Sequence, residues 1–202
     1  MTGSPQRVRT GDKIGGRFVL GKRLGEGGVG KVFEALDEHT KKTVAVKILH
    51  VPPERHDAGE RIRREAMVLM DVQHPAIVTI HEAGTHADGT LFYAMELLRG
   101  ETIKDRLSRT GPMPLAEVVP VVRALGSALD SVHRTGVVHR DIKPDNLLLL
   151  APEARGPTTP PVKLIDFGIA KVLWDGPMTT PGTALGTPRY MPPEQLRGDA
   201  EL

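Results

Sequence analysis

The chain has no cysteine among its 202 residues, which excludes a disulfide framework and a thiolate metal site and agrees with a reducing interior. Long apolar runs are missing as well. Stretches such as "LLLLA" at 147–151 fall far short of the roughly 20 residues that span a bilayer. The N-terminal "MTGSPQRVRTGDK" lacks the apolar core of a secretory signal. No sign of charge dominates: 27 Lys and Arg against 25 Asp and Glu leave a formal net charge of +2, too even to point to nucleic acid or an anionic membrane. There is no internal repeat. What remains is ordinary globular composition, 39% hydrophobic and 26% charged, in a chain long enough for one domain or two small lobes. The expected location is the cytoplasm.

Along the chain the character changes once. Residues 1–13 are polar and Gly-containing and read as a flexible leader. From Phe18 the pattern is strand-like: "RFVLGKRL", a Gly-rich turn, "KVFEAL" and "KTVAVKIL", stopped by Pro52 and Pro53. "DAGERIRREAMVLMDV" then reads as a helix, with Asp57 and Glu60 spaced as a capping box. Two further strands, "AIVTIHEAG" and "TLFYAMELL", flank the turn-rich "THADGT". Residues 14–98 are thus expected to form a small sheet with one inserted helix. Beyond "RGET" the chain turns helical: Val118, Val122, Leu125, Leu129 and Val132 follow a 3.6-residue period, and Gly136 sits where a helix C-cap belongs. Pro120 is expected to bend that helix or delay its start. "LLLL" and "VKLI" then flank a Pro-rich turn, and the remainder, rich in Gly, Thr and Pro, suits the surface.

Four stretches carry chemistry. In "GEGGVGKV", Gly25, Gly27 and Gly30 fit G-x-G-x-x-G, a spacing that lets backbone N–H groups approach phosphate oxygens with no Cβ in the way. The same glycines also suit a plain hairpin turn. A strand follows them, where a Rossmann site would have a helix, so the reading is a hairpin lid. In "VAVK", Lys47 shares a strand face with Ala45 and points inward, where an ammonium needs a partner. Glu65, on the apolar stripe of the following helix, is the candidate, while Arg61, Arg63 and Arg64 read as solvated. "HRDIKPDN" at 139–146 places a carboxylate, an ammonium and a carboxamide close together in Asp141, Lys143 and Asn146. "DFG" at 166–168 puts Asp166 at a strand end, which suits a metal ligand facing a cleft, although Asp166 taken alone reads more readily as a turn residue.

Taken in order, these motifs and the "PPE" at 192–194 resemble a protein kinase, and most closely the bacterial eukaryotic-like (Hanks-type) serine/threonine kinases. The resemblance covers about residues 14–202. It implies an α+β, two-lobed protein-kinase-like fold: a complete β-rich N-lobe with one helix at 14–98 and an incomplete helical C-lobe at 99–202. It implies ATP and Mg²⁺ as cofactors and Ser/Thr-containing proteins as substrates, with a homodimer as a candidate arrangement for autophosphorylation. On this resemblance Asp141 accepts the substrate hydroxyl proton, Lys143 neutralises the transferred phosphoryl group, and Lys47, held by Glu65, contacts the α- and β-phosphates. Asn146 and Asp166 hold Mg²⁺. Leu24, Gly25, Glu26, Gly27, Gly28, Val29, Gly30, Lys31 and Val32 cover the nucleotide. Ala45 and Leu148 sandwich the adenine with Val32, and Met95, Glu96 and Leu97 form the hinge beside it. Leu69, Ile80, His139 and Phe167 are implied as a regulatory hydrophobic column. Arg140 is implied to bind a phosphothreonine at Thr179, Thr180 or Thr183, and Thr187 to serve substrate binding. Lys143 and Thr187 both favour Ser/Thr over Tyr as acceptor.

Two departures stand out. The usual Ala-Pro-Glu or Ser-Pro-Glu is Pro192-Pro193-Glu194 here. The chain stops at Leu202, whereas the family continues with further helices and an Arg that pairs with the equivalent of Glu194, and a transmembrane helix and sensor often follow. The expectation is therefore a truncated domain with little activity of its own, and a non-catalytic nucleotide-binding module is the alternative.

Overall fold

The computed structural model describes residues 8–27, 30–50, 70–166 and 188–193. They fall into two compact units. The first runs to Asp71 and resumes over Thr79–Leu98; the second comprises Val72–Val78 and the chain from Arg99 onward.

The first unit is built on an antiparallel six-stranded sheet. Its strands are β1 (Lys13–Ile14), β2 (Phe18–Gly27), β3 (Gly30–Asp37), β4 (Thr43–Leu49), β5 (Ile80–Thr85) and β6 (Leu91–Glu96), in the order β1-β2-β3-β4-β6-β5. Alternation along the strands places Phe18, Leu20, Phe33, Val46, Ile48 and Phe92 in one buried cluster. Phe18 meets Phe92 edge-on with ring centroids 5.9 Å apart, a geometry worth about 0.5–1.5 kcal/mol beyond area burial. β4 is buried at every position after Thr43, because it lies between β3 and β6 and both its faces are covered.

Residues 8–13 are not the loose leader expected from their composition. Gly11 N–H donates to Leu20 O at 2.7 Å and Leu20 N–H to Asp12 O at 2.9 Å, Arg9 N–H donates to Asp12 Oδ2 at 2.7 Å, and Val8 packs on the core. Polar composition gave no hint of this backbone pairing with β2. Close to this pairing, Arg17, directly before β2, forks onto buried Asp37, Nε to Oδ1 and Nη2 to Oδ2, both at 2.7 Å. It also reaches Glu82 at the start of the β5 strand pair. The fork ties β2, the β3–β4 turn and β5 together.

The second unit holds a three-stranded antiparallel sheet, β7 (Gly100–Thr102), β8 (Leu147–Leu150) and β9 (Val162–Leu164), in that order. Helix α1 (Ile103–Thr110) starts directly after β7, capped by the Thr102 hydroxyl, which accepts from Asp105 N–H. Gly111 ends it at φ 72°, a positive φ that glycine adopts without strain because it has no Cβ. Helix α2 (Leu115–His133) begins ahead of Pro120, which lies inside it near its N-terminal end, so that residue does not delay the helix as expected. Gly136 follows the helix at φ 76°, its N–H donating to His133 O at 2.9 Å.

Two expectations are corrected here. Of the stripe read along α2, Val132 is buried and Val118, Leu125 and Leu129 are half-buried, but Val122 stands 59% exposed, and the helix also buries Val121 and Ala128. "AIVTIHEAG" is not one strand. Leu164 N–H donates to Ala76 O at 2.8 Å and Val78 N–H to Leu164 O at 2.9 Å, a parallel bridge that places Ala76–Val78 beside β9, while pairing with β6 starts at Ile80. This is why residues 72–78 group with the second unit. The helix expected over 57–72 lies, up to residue 69, outside the described residues, and so does its capping box.

Candidate active site

In the first unit the two sides of the Gly-rich stretch pair antiparallel, with Gly25 opposite Val32, Glu26 opposite Lys31 and Gly27 opposite Gly30. Two register shifts between Leu20 and Gly25 twist β2 as it enters the turn. The three glycines differ in what surrounds them. A Cβ on Gly30 would lie 2.0 Å from the Ile48 carbonyl oxygen, whereas one on Gly25 or Gly27 would meet nothing within 4 Å. Close strand packing therefore demands glycine at position 30, and among the described residues nothing does so at 25 or 27. Gly28 and Val29 are outside the described residues. Leu24 is 45% exposed, and Glu26 accepts from Arg23 at 2.6 Å with Lys31 at 3.6 Å.

Register then builds a row across four strands: Gly25 pairs with Val32, Val32 with Lys47, and Lys47 with Tyr93. Ala45 pairs with Met95 one step along. Val32, Ala45, Lys47 and Met95 thus share the sheet face opposite the Phe18–Phe92 cluster, as the alternation of β4 requires. Lys47 is buried, its ammonium 5.8 Å from the Tyr93 ring centroid, within range of a cation–π contact. Glu65, its expected partner, is outside the described residues. At the end of β6, Glu96 N–H donates to Thr79 O at 3.0 Å and Glu96 Oε1 accepts from Thr79 N–H at 2.8 Å. This reciprocal pair fixes the segment Met95–Leu97, and the sequence carried no local sign of it.

In the second unit "HRDIKPDN" forms a loop that closes on itself. Lys143 Nζ donates to Asp141 Oδ2 at 2.8 Å, with both side chains less than a fifth exposed. Buried Asn146 donates from Nδ2 to the same Oδ2 at 2.9 Å and to the Asp141 main-chain O at 2.8 Å. Asp141 N–H in turn donates to the Nδ1 of buried His139 at 3.2 Å. Arg140 between them sits at φ 60°, a region costly for a side chain with a Cβ and found where a surrounding network enforces it. A short 3₁₀ turn, Pro144–Asn146, leads into β8, and Ile165 N–H donates to Asn146 O at 3.0 Å. The residue before Asp166 is thereby stitched to the loop carrying Asn146. Leu148 pairs with Thr102 and with Lys163.

Asp141 therefore has an ammonium and a carboxamide on one carboxylate oxygen, Oδ2, which fixes the orientation of the carboxylate. Asn146 and Asp166 offer hard oxygens. Among the described residues no three His, Asp or Glu side chains form a ready-made cage. Two such oxygens suit the mode in which Mg²⁺ is shared among one or two protein groups, water and substrate phosphates. Phe167, Thr179, Thr180, Thr183, Thr187, Glu194 and Leu69 lie outside the described residues, so the regulatory column and the threonine sites are not described. No described helix is long and apolar enough to cross a membrane. Sequence reasoning overlooked Lys104, whose ammonium meets Asp145 of the loop at 2.5 Å; a separation of 41 residues leaves no local signal.

The family model described as "Protein kinase domain" matches residues 18–201. Serine/threonine-protein kinase PknH of Mycobacterium bovis is 39% identical over 197 residues, covering 96% of this chain and 31% of that protein. Serine/threonine-protein kinase pkn3 of Myxococcus xanthus is 39% identical over 193 residues, covering 93% of this chain and 35% of that protein. The chain thus spans about a third of the length of these relatives. The crystal structure of the Mycobacterium tuberculosis PknI kinase domain superposes with a TM-score of 0.68 at 27% identity, covering 81% of this chain and 64% of that one. The β-rich unit and the unit holding residues 139–146 are those of the protein kinase fold. The chain belongs to the protein kinase domain family, and within it to the bacterial Hanks-type serine/threonine protein kinases.

Proposed function

We propose that this chain carries the machinery that transfers the γ-phosphoryl group of ATP to Ser and Thr hydroxyls of proteins, its own activation segment included. The observation that carries the reading is the convergence of Lys143 and Asn146 on a single oxygen of Asp141. A carboxylate held this way accepts the acceptor hydroxyl's proton from a fixed direction. Lys143, within reach of the same oxygen, neutralises charge gathering on the transferred group. Asn146 and Asp166 would hold Mg²⁺, which when bound screens the phosphate oxygens. Lys47, helped by Glu65, orients the α- and β-phosphates. The open space around Gly25 and Gly27 supports close approach of backbone N–H groups to phosphate oxygens, together with the residues from Leu24 to Val32. Val32, Ala45 and Leu148 are the side chains assigned to the adenine, and Met95–Leu97, pinned through Thr79, serves as the hinge.

The activation segment belongs to the same proposal. The left-handed Arg140 beside Asp141 supports a guanidinium held ready for a phosphothreonine at Thr179, Thr180 or Thr183, in the bidentate geometry that favours Arg. Thr187 contacts the acceptor, and two copies of the chain exchange phosphate as a homodimer. The test is incubation with γ-labelled ATP and a Ser/Thr-containing protein, followed by phosphoamino-acid analysis and mass spectrometry. Phosphoserine and phosphothreonine are expected, with phosphate on at least one of Thr179, Thr180 and Thr183. Phosphate on a small metabolite alone, or on tyrosine alone, would overturn the reading.

A further inference from the structure

We propose that Lys104 is a positioning residue: by clamping Asp145 it holds the Pro144–Asn146 turn in the geometry that presents Asn146. The proposal rests on the function read above for Asn146 but on separate observations.

The fold explains why these two residues meet. β7 and β8 run antiparallel, and Thr102 opposite Leu148 is the last pair at that end. The chain leaves β7 there into α1 and enters β8 there from the Pro144–Asn146 turn, so the first turn of α1 and the 3₁₀ turn emerge side by side. Lys104 is the second residue of α1, Asp145 the middle of the turn, and Lys104 Nζ lies 2.5 Å from Asp145 Oδ1.

The lysine's base is rigid. Thr102 Oγ1 accepts from Asp105 N–H at 3.1 Å and donates to Asp105 Oδ2 at 2.6 Å, while Arg109 reaches back to Glu101 at 2.6 Å. Both ends of α1 are therefore tied to β7, and only the lysine side chain has to be ordered by the contact. The hydrogen bond to Asp145, then its charge, holds the Lys104 ammonium above its ordinary pKa, with Asp105 and Tyr190 adding to the effect. It stays charged throughout any neutral assay.

The other partner needs holding. A 3₁₀ turn of three residues is weak by itself, and here its closing bond is Asn146 N–H to Lys143 O at 3.0 Å. Asn146 follows Asp145 directly and carries two hydrogen bonds to Asp141 through its side chain and one from Ile165 through its carbonyl. A shift of Asp145 is passed to all three. An exposed ion pair does little for global stability, so the effect belongs in local opening of this turn.

Hydrogen exchange of the Asn146 and Ile165 amides, measured on the full chain without nucleotide, tests this. Lys104→Ala should speed both by about two- to fivefold, the range open to an exposed ion pair, and leave amides in β3 and β4 unchanged. Asp145→Asn should do the same, the double variant should add nothing further, and Lys104→Arg should stay close to wild type. In a transfer assay kcat should fall by a similar factor with KM for the acceptor little changed. Unaltered exchange in Lys104→Ala, or additive effects in the double variant, would overturn the clamp. Because the exchange arm needs no turnover, a chain that transfers no phosphate would sink the function reading and leave the clamp to be decided by exchange alone.

Discussion

Asn146 grips Asp141 twice with one nitrogen, donating to its main-chain oxygen at 2.8 Å and to its carboxylate at 2.9 Å. One side chain thereby fixes both the backbone and the rotamer of the candidate base. Asn146→Ala should reduce transfer by about 10- to 100-fold, the range for losing a residue that orients a reacting or metal-binding group. It should also cost about 1–3 kcal/mol of stability through the acceptors left without a donor. Steady-state kinetics beside urea unfolding followed by circular dichroism would check both. Near wild-type turnover would remove Asn146 from the site.

Lys47 should be needed for turnover and not for folding. It is buried between Val32 and Tyr93 on the neighbouring strands, so Lys47→Met keeps an apolar stem of similar volume and removes the charge. Transfer should fall by about 100-fold or more, as when a group stabilising developing charge is removed, with an unchanged far-UV circular dichroism spectrum. A variant that keeps most of its kcat would contradict the role given to Lys47.

Gly100 should be intolerant of any side chain. A Cβ there would sit 2.0 Å from the Leu149 carbonyl oxygen, inside the β7–β8 pair that sets α1 beside the catalytic loop. Gly100→Ala should force these strands apart, destabilise the second unit and impair activity together, whereas Gly126→Ala, with nothing within 4 Å of the new Cβ, should be neutral or mildly stabilising. Thermal melts of the two variants would compare them directly.

These contrasts also explain what was legible in the sequence. Val44, Val46 and Ile48 alternating with Ala45 and Lys47 announced a strand with two different faces, and the structure keeps that division. The pairing of "LLLL" with "VKLI" was legible because a Pro-rich turn separates two short apolar runs. β7 was not, since "GET" has no periodicity and owes its place to pairing with Leu148–Leu150. "AIV" and "IHEAG" form one continuous apolar pattern, and only the backbone bonds to Leu164 divide it. Val122 fits a 3.6-residue period as well as Val121 does, yet Val121 is buried and Val122 exposed. Ion pairs between distant segments, Arg17 with Asp37 and Lys104 with Asp145, leave no trace in local pattern. The contacts within the 139–146 loop were readable for the opposite reason: Asp141, Lys143 and Asn146 lie within one short stretch and bond to each other.

Acid should weaken the first unit through Asp37. Its carboxyl is held well below the usual carboxylate range, chiefly by the hydrogen bond from Arg17 and further by Thr40 and His39, against the opposing effect of burial. A carboxyl with a depressed folded pKa contributes stability that is fully present above its unfolded value of about 3.9 and is lost as pH falls toward the folded value. Unfolding free energy should therefore drop steadily below about pH 5 in the wild type. Asp37→Asn should be less stable at neutral pH by about 2–3 kcal/mol and show a flatter acid limb. Parallel acid limbs for the two proteins would contradict the assignment.

Asp141 decides the account as a whole. Initial rates of phosphate transfer from ATP to a Ser/Thr-containing protein should be compared for wild type and Asp141→Asn, in this chain and in a version extended to the length of the solved kinase domains it matches. Asparagine preserves the shape of the side chain and its contacts with the loop but cannot accept the proton. The prediction is a loss of about 10²–10⁴-fold, with folding and nucleotide affinity retained. Rates within a few-fold of wild type would contradict the claim that this carboxylate is the catalytic base.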